Sequence, residues 1–311
     1  MRSTGVLVPR RLEPGDQVRF VSPASTPDRE CVKRGEQLLT SWGLRVEIGA
    51  HAFDTFGHYL AGRDEDRLSD MNEALRDPGV RAIFVTAGGK GAYRIANGLD
   101  FAAARRHPKP VVGFSETTIL HMALWRSCLL VGFHGPHVGW NDDWYGPRVA
   151  DSLRRALMEP ETLTIRQDPR ELTAKVLVEG LATGVLMGGN LDMIATSVGW
   201  ACPSFDGAIL FIEDVDKQIG RLDRALTQLL RSGLLDGVQG VAVGQFIRCA
   251  DENPHKWSIV DVLHDRLSAL GVPVLGGLPI GHGPQTPTVA LGARATLDTG
   301  TLTLTVEPGV S

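Results

Sequence analysis

The chain has 311 residues, 43% hydrophobic and 22% charged, with a formal net charge of −4. That length exceeds what one hydrophobic core usually organises and points to two globular domains. The slight acidity, with Lys and Arg scattered, excludes the basic footprint of a nucleic-acid or acidic-membrane partner, and no apolar run approaches the ~20 residues that cross a bilayer.

The opening stretch "MRSTGVLVPRRLEPGDQ" carries arginines without an apolar core, so no signal peptide is expected and the cytoplasm is the expected location. "VRFVSP" (18–23) and "LRVEI" (44–48) read as strands, and "GRDEDRLSDMNEALRDP" (62–78) as a helix with Leu68, Met71 and Leu75 on one face and Pro78 as its stop. "RAIFVTAGG" (81–89) and "PVVGFS" (110–115) are further strands. Strands alternating with helices imply a parallel sheet covered on both faces, with its sites at the carboxyl ends of the strands, where Gly88-Gly89 and Ser115 fall. A polar stretch near 160–173 reads as a linker, giving an N-terminal domain over 1–165 and a C-terminal domain over 166–311. Beyond it come the glycine-rich mixture at 174–200, a buried strand "AILFIEDVD" (208–216), an amphipathic helix at 221–233 and strands at 240–246 and 272–283. A last pair of alternating segments turns at Asp298-Thr299-Gly300, a hairpin signal. Cys31, Cys128, Cys202 and Cys249 form no CxxC pair, so reduced thiols are expected and a metal cluster is not.

Ser115 is either a nucleophile on a strand-to-helix turn or an ordinary helix cap; position 118 holds no Glu or Gln, so a capping box is absent. A serine nucleophile needs a base. His107, His255 and His264 read as surface residues and His121 as structural, while His134 and His137 could line a cleft. His282, bracketed by glycines after an apolar strand, is placed to expose its imidazole. An orienting carboxylate is available in "FIEDVD", where period-two alternation puts Glu213 and Asp214 on opposite faces. The same acids could instead hold a divalent metal or form a solvated loop. "VTAGGKGAY" (85–93) matches neither the Walker A nor the GxGxxG pattern, but a glycine pair at a strand end can present backbone N–H groups to an oxyanion.

Taken in order, "SPA", "YLAGRDEDRLSDMNEALRDPGVRAIF", "AGG", "GFSETTILH", "HGP", "GVLMGGNL", "LFIEDVD" with "GRLDRALTQL", and "PIGHGPQTPTVALG" resemble the LD-carboxypeptidase family of serine peptidases, over roughly residues 10 to 306. The resemblance implies a flavodoxin-like parallel-sheet N-terminal α/β domain and a smaller β-rich C-terminal α/β domain of the swivelling kind. It implies a Ser-His-Glu triad of Ser115, His282 and Glu213, an oxyanion hole of the Gly89 and Glu116 N–H groups, no metal or other cofactor, and a homodimer. The implied partner is a small peptide, with no nucleic acid and no membrane. The implied reaction releases D-alanine from an LD bond of cytoplasmic murein tetrapeptide during peptidoglycan recycling. The family's microcin C self-immunity branch supplies an alternative substrate, an aminoacyl-nucleotide antibiotic. A secondary-metabolism peptidase and a non-catalytic homologue are further alternatives.

The chain departs from the family pattern at Glu116, where Asp is usual, at Ala87, where Arg is common, and at Lys90, where an aromatic is common. Lys90 is therefore a candidate substrate contact; Trp140 and Trp144 are candidates because paired aromatics in the 138–147 loop could stack on a ring such as a nucleobase, the competing reading being that they pack that loop onto the body.

Overall fold

The computed structural model describes residues 5–141, 145–249 and 257–311, so Trp144 and His255 lie outside the described residues. The chain divides into two compact units: Met1–Glu161 with Pro287–Gly292 and Pro308–Ser311, and Thr162–Thr286 with Ala293–Glu307. A single cut of the chain therefore does not separate them, because two short segments return to the first unit.

The first unit runs β1 (Gln17–Val21), α1 (Arg29–Ser41), β2 (Arg45–Ile48), α2 (Asp64–Arg76), β3 (Val80–Val85), α3 (Ala92–Ile95), α4 (Phe101–Arg106), β4 (Val111–Gly113), α5 (Thr118–Cys128), β5 (Gly132–His134) and α6 (Gly146–Met158). These five strands are parallel and ordered 2-1-3-4-5, the flavodoxin-like arrangement that the family resemblance implied. Apolar runs such as Ile83-Phe84-Val85 are buried on both faces, as helices on either side of a parallel sheet require. Local chemistry fixes the helix ends. The Asp28 side chain accepts from Cys31 N–H at 2.9 Å to start α1. Three acids open α2 and Arg76 closes it, matching the helix dipole.

The second unit contains β6 (Leu163–Arg166), β7 (Leu177–Val178), β8 (Leu181–Asn190), α7 (Leu191–Thr196), β9 (Ala208–Val215), α8 (Ile219–Arg231), β10 (Gly240–Ile247), α9 (Ile259–Ser268) and β11 (Val274–Leu275). The chain then contributes β12 (Val289–Leu291) to the first sheet, antiparallel to β5, before β13 (Arg294–Asp298) and β14 (Thr303–Val306) close the second sheet as a hairpin. The second sheet is ordered 6-14-13-8-9-10-11-7; strands 8 to 11 at its centre run parallel and the outer pairs antiparallel. On α8, Leu222, Leu226 and Leu229 are buried, each contributing about 1.5–3 kcal/mol of apolar burial.

Two sequence readings change. The polar stretch at 160–173 is not an unstructured linker. Leu163–Arg166 pairs with β14 and buries Ile165, an alternation short enough to be hidden among polar neighbours. The run at 272–283 is strand only at Val274–Leu275; the glycines that follow release it from the sheet.

Candidate functional site

Ser115 follows β4 after one residue and takes a left-handed backbone, φ +57°, in a 3-10 turn that leads into α5. No side chain caps either the turn or α5, so the cap reading of Ser115 does not describe its geometry. An L-residue in this region carries strain of about 1–3 kcal/mol, held only when its surroundings enforce it. Here Phe114 is enforced from behind: the ring of His137 stacks on it at 4.5 Å and His137 Nε2–H donates to its carbonyl at 3.1 Å.

The loop after β3 lies beside this turn. A side chain at Gly88 would collide with His137 and stand 3.5 Å from Ser115 Oγ; Gly89 sits at φ +99°. The loop after β1, at the point where the strand order reverses, holds it in place. Ser25 N–H donates to the Gly88 carbonyl at 3.2 Å, and Lys90 N–H donates to Ser25 Oγ at 3.2 Å. Among the described residues, the N–H groups of Gly89 and Glu116 donate no hydrogen bond. Lys90 is exposed.

Glu116 is buried, and its carboxylate reaches back under the loop to accept from the N–H groups of Gly91 at 2.8 Å and Ala92 at 3.0 Å. Burial pushes this carboxyl above its ordinary value, against the pull of those backbone donors. Arg67, wholly buried, adds a second strut: Nη1 donates to the carbonyls of Pro23 and Gly91, and Nη2 to Asp64. Glu116 and Arg67 thus lock three loops together. Sequence reading missed both roles: a buried arginine on a helix rich in charges gives no signal of its burial.

In the second unit, β9 carries the acids. Glu213 is completely buried and its Oε2 lies 2.5 Å from His282 Nδ1. A carboxylate can only accept, so Nδ1 carries the proton and Nε2 is left as the basic nitrogen. Burial draws the His282 imidazole down, but the charge and hydrogen bond of Glu213, helped by Asp214 and Asp216, outweigh it and hold the value above 6.5. Gly281, at φ +143°, leaves room for the pair: a Cβ there would stand 3.0 Å from Glu213 Oε2. The buried Gln245 fixes the next residue, its Oε1 accepting from Gly283 N–H at 2.8 Å while its Nε2 donates to Glu171 at 2.6 Å. Its signal in the sequence was a lone amide inside the apolar run "GVAVGQF".

Asp214 points to the other face of β9, as period two requires. It accepts from Asn190 Nδ2 at 3.0 Å and from the N–H groups of Asp192 and Val215, and burial followed by the Glu213 charge pushes it up to about 6. Asp216 is paired with Arg248. The three acids of "FIEDVD" therefore do not converge as metal ligands. Trp140 is 4% exposed and packs on Tyr145 and Val149 with ring centroids 4.9 Å apart, the loop-packing arrangement. His121 is enclosed in the first unit's core, where burial pulls it down to about 4.

Residues 18–135 match the LD-carboxypeptidase N-terminal domain and residues 183–297 the LD-carboxypeptidase C-terminal domain. A Bacillus subtilis (strain 168) protein named "Probable murein peptide carboxypeptidase" is 37% identical over 97% of this chain and 95% of its own. The microcin C7 self-immunity protein of Escherichia coli is 26% identical over 91% of each. The crystal structure of muramoyltetrapeptide carboxypeptidase from Oxalobacter formigenes superposes with a TM-score of 0.82 at 26% identity, covering 95% of this chain and 100% of that one.

Proposed function

Since the chain belongs to the LD-carboxypeptidase family, we propose that it is a serine-type carboxypeptidase that releases D-alanine from the LD bond of murein tetrapeptide. Ser115 Oγ attacks the carbonyl carbon between the L-diamino acid and D-alanine, and His282 Nε2 takes the hydroxyl proton. The N–H groups of Gly89 and Glu116 hold the oxyanion. Collapse of the tetrahedral intermediate breaks the C–N bond, and His282 returns its proton to the departing amine of D-alanine. Water, deprotonated in turn by His282, hydrolyses the acyl-serine ester and restores Ser115. Glu213 keeps the tautomer and stabilises the imidazolium.

The observation that carries this reading is the 2.5 Å pair of buried Glu213 and His282 Nδ1. It makes Nε2 a base of raised affinity for a proton. The strained turn at Ser115 and the two undonated N–H groups support it further. The reading includes a cytoplasmic homodimer, as the family resemblance implies, and a monomeric mass by light scattering would overturn the dimer.

The test is a mass-spectrometric panel of murein tri-, tetra- and pentapeptides beside an aminoacyl sulfamoyl adenylate. The tetrapeptide is expected to shorten to the tripeptide with free D-alanine. Preferred cleavage of the adenylate would move the chain to the self-immunity reading. Ser115→Ala is expected to lower kcat/KM by ~1,000-fold or more, and activity within about tenfold of wild type would overturn the mechanism.

A further inference from the structure

The amino ends of β3 and β4 frame a cavity of about 370 Å³ in the first unit, at the opposite end of these strands from Ser115. Its size is that of a small-molecule site. Arg10, Arg81, Arg106, His107 and Lys109 line it; no aspartate or glutamate side chain does, and the acidic group of the lining is the terminal carboxylate of Ser311. Arg10 is committed to Glu13. Among the described residues, Arg81 and Arg106 have neither a hydrogen bond nor an ion pair from their side chains, and Arg81 Nε is buried with no acceptor.

Lys109 sharpens the case. Its ammonium is buried and donates to the carbonyls of Ala74 at 2.8 Å and Asp77 at 2.7 Å, leaving one of three protons uncommitted. Burial lowers its pKa to about 8; Asp77 opposes that fall and the charges of Arg81 and Arg19 add to it. Arg81, Arg106 and Lys109 outnumber the acidic groups beside them, the Ser311 carboxylate and Asp77, which Arg19 also holds, so they repel one another, and a buried unpaired donor is costly. Both penalties vanish when an anion with several acceptor oxygens enters.

We propose that this cavity binds a phosphorylated small molecule. A single carboxylate has two oxygens and one charge, enough for one guanidinium fork. A phosphate ester or diphosphate offers at least three oxygens and close to two charges, and so serves Arg81, Arg106 and Lys109 together. The site is separate from the one assigned to catalysis, so it stands or falls independently of the carboxypeptidase reading.

The experiment is isothermal titration of the full chain with inorganic phosphate, pyrophosphate, a sugar phosphate and acetate, repeated on Arg81→Gln, Arg106→Gln and Ser115→Ala. Saturable binding of a phosphate compound is expected, unchanged in Ser115→Ala and weakened about tenfold or more, roughly 1.4 kcal/mol, in each arginine variant. The phosphate arms separate the sources: pyrophosphate tighter than the sugar phosphate marks a diphosphate site, the reverse a phosphomonoester site, and either supports the proposal. No saturable binding of any phosphate arm at about 10 mM, a signature of at best marginal affinity, would overturn it. So would equal binding by the arginine variants, or acetate binding as tightly as the phosphates. Melting temperatures of the unliganded arginine variants at or above wild type would support it further, because repulsion is relieved while no contact is lost.

Discussion

Replacing Glu213 by Gln keeps the volume of the side chain and removes its charge. Two unit charges about 4 Å apart in an effective dielectric of about 20 attract by about 4 kcal/mol, equivalent to ~3 pKa units. In the wild-type protein burial of His282 opposes that attraction, and the balance leaves the imidazole above 6.5. The base must be neutral to accept a proton, so activity rises with pH through this raised value. In Glu213→Gln the burial remains while the largest upward contribution disappears, so the imidazole falls below 6.5. The acid limb of kcat/KM against pH is expected to move down by about one unit or more. The amide can also donate to Nδ1 and fix the tautomer whose Nε2 already carries the proton, so kcat is expected to drop ~10⁴-fold, as in other serine triads.

The same substitution has a signature in stability. A histidine whose folded value is raised contributes stability that is fully present below its unfolded value, ~6.5, and is lost as pH rises through the folded value. The stability difference between wild type and variant should therefore be largest near pH 5–6 and narrow above neutrality, read by denaturant titration at several pH values. An acid limb that stays put, or moves to higher pH, would refute the reasoning.

Four further outcomes are expected. Glu116→Ala orphans the N–H groups of Gly91 and Ala92, at about 1–3 kcal/mol each, so a loss of about 2–6 kcal/mol in denaturant titration is expected, with kcat falling more than KM rises. Glu116→Gln keeps an acceptor and removes a buried charge. Wild-type stability, full below the unfolded glutamate value of ~4.3, is lost as pH rises through the raised folded value, so the glutamine variant gains on wild type toward neutral pH. Ser115→Gly should be about 1 kcal/mol more stable than Ser115→Ala, because only glycine adopts φ +57° without strain. Trp140→Ala should lose about 3–5 kcal/mol of stability while the folded variant keeps its KM, and a raised KM would return Trp140 to the substrate.

What could be read in the sequence was what periodicity and strand ends encode. The parallel sheet, the turn at Ser115 and the split of Glu213 from Asp214 follow from alternation of two and from where apolar runs stop. What could not be read depends on reach. Glu116 was known only for its backbone N–H, yet its side chain spans the gap to Gly91 and Ala92, a distance no local pattern contains. Arg67 gave no sign of its burial, because helix periodicity reports where a residue points and not what lies there. The return of Val289–Leu291 to the first sheet has no local cause either; its pairing partners, Gly132 to His134, lie more than 150 residues earlier.

The departure at Glu116 then acquires a structural meaning. Its backbone and its side chain serve different masters: the N–H belongs to the turn at Ser115, the carboxylate to the N–H groups of Gly91 and Ala92. A change of one methylene at this residue therefore alters the separation between two loops before it alters anything a substrate touches. The proposed oxyanion donors sit one on each of those loops, Glu116 on the serine turn and Gly89 on the glycine loop. Their spacing is set by the length of this side chain together with the hold of Arg67 on Pro23 and Gly91. The carboxylate is the better acceptor for paired N–H donors, and its burial penalty is the counterpart of that rigidity. On this argument the extra methylene bears on kcat through the placement of the proposed transition-state donors, whereas Lys90, exposed on the same loop, is the residue proposed for substrate choice.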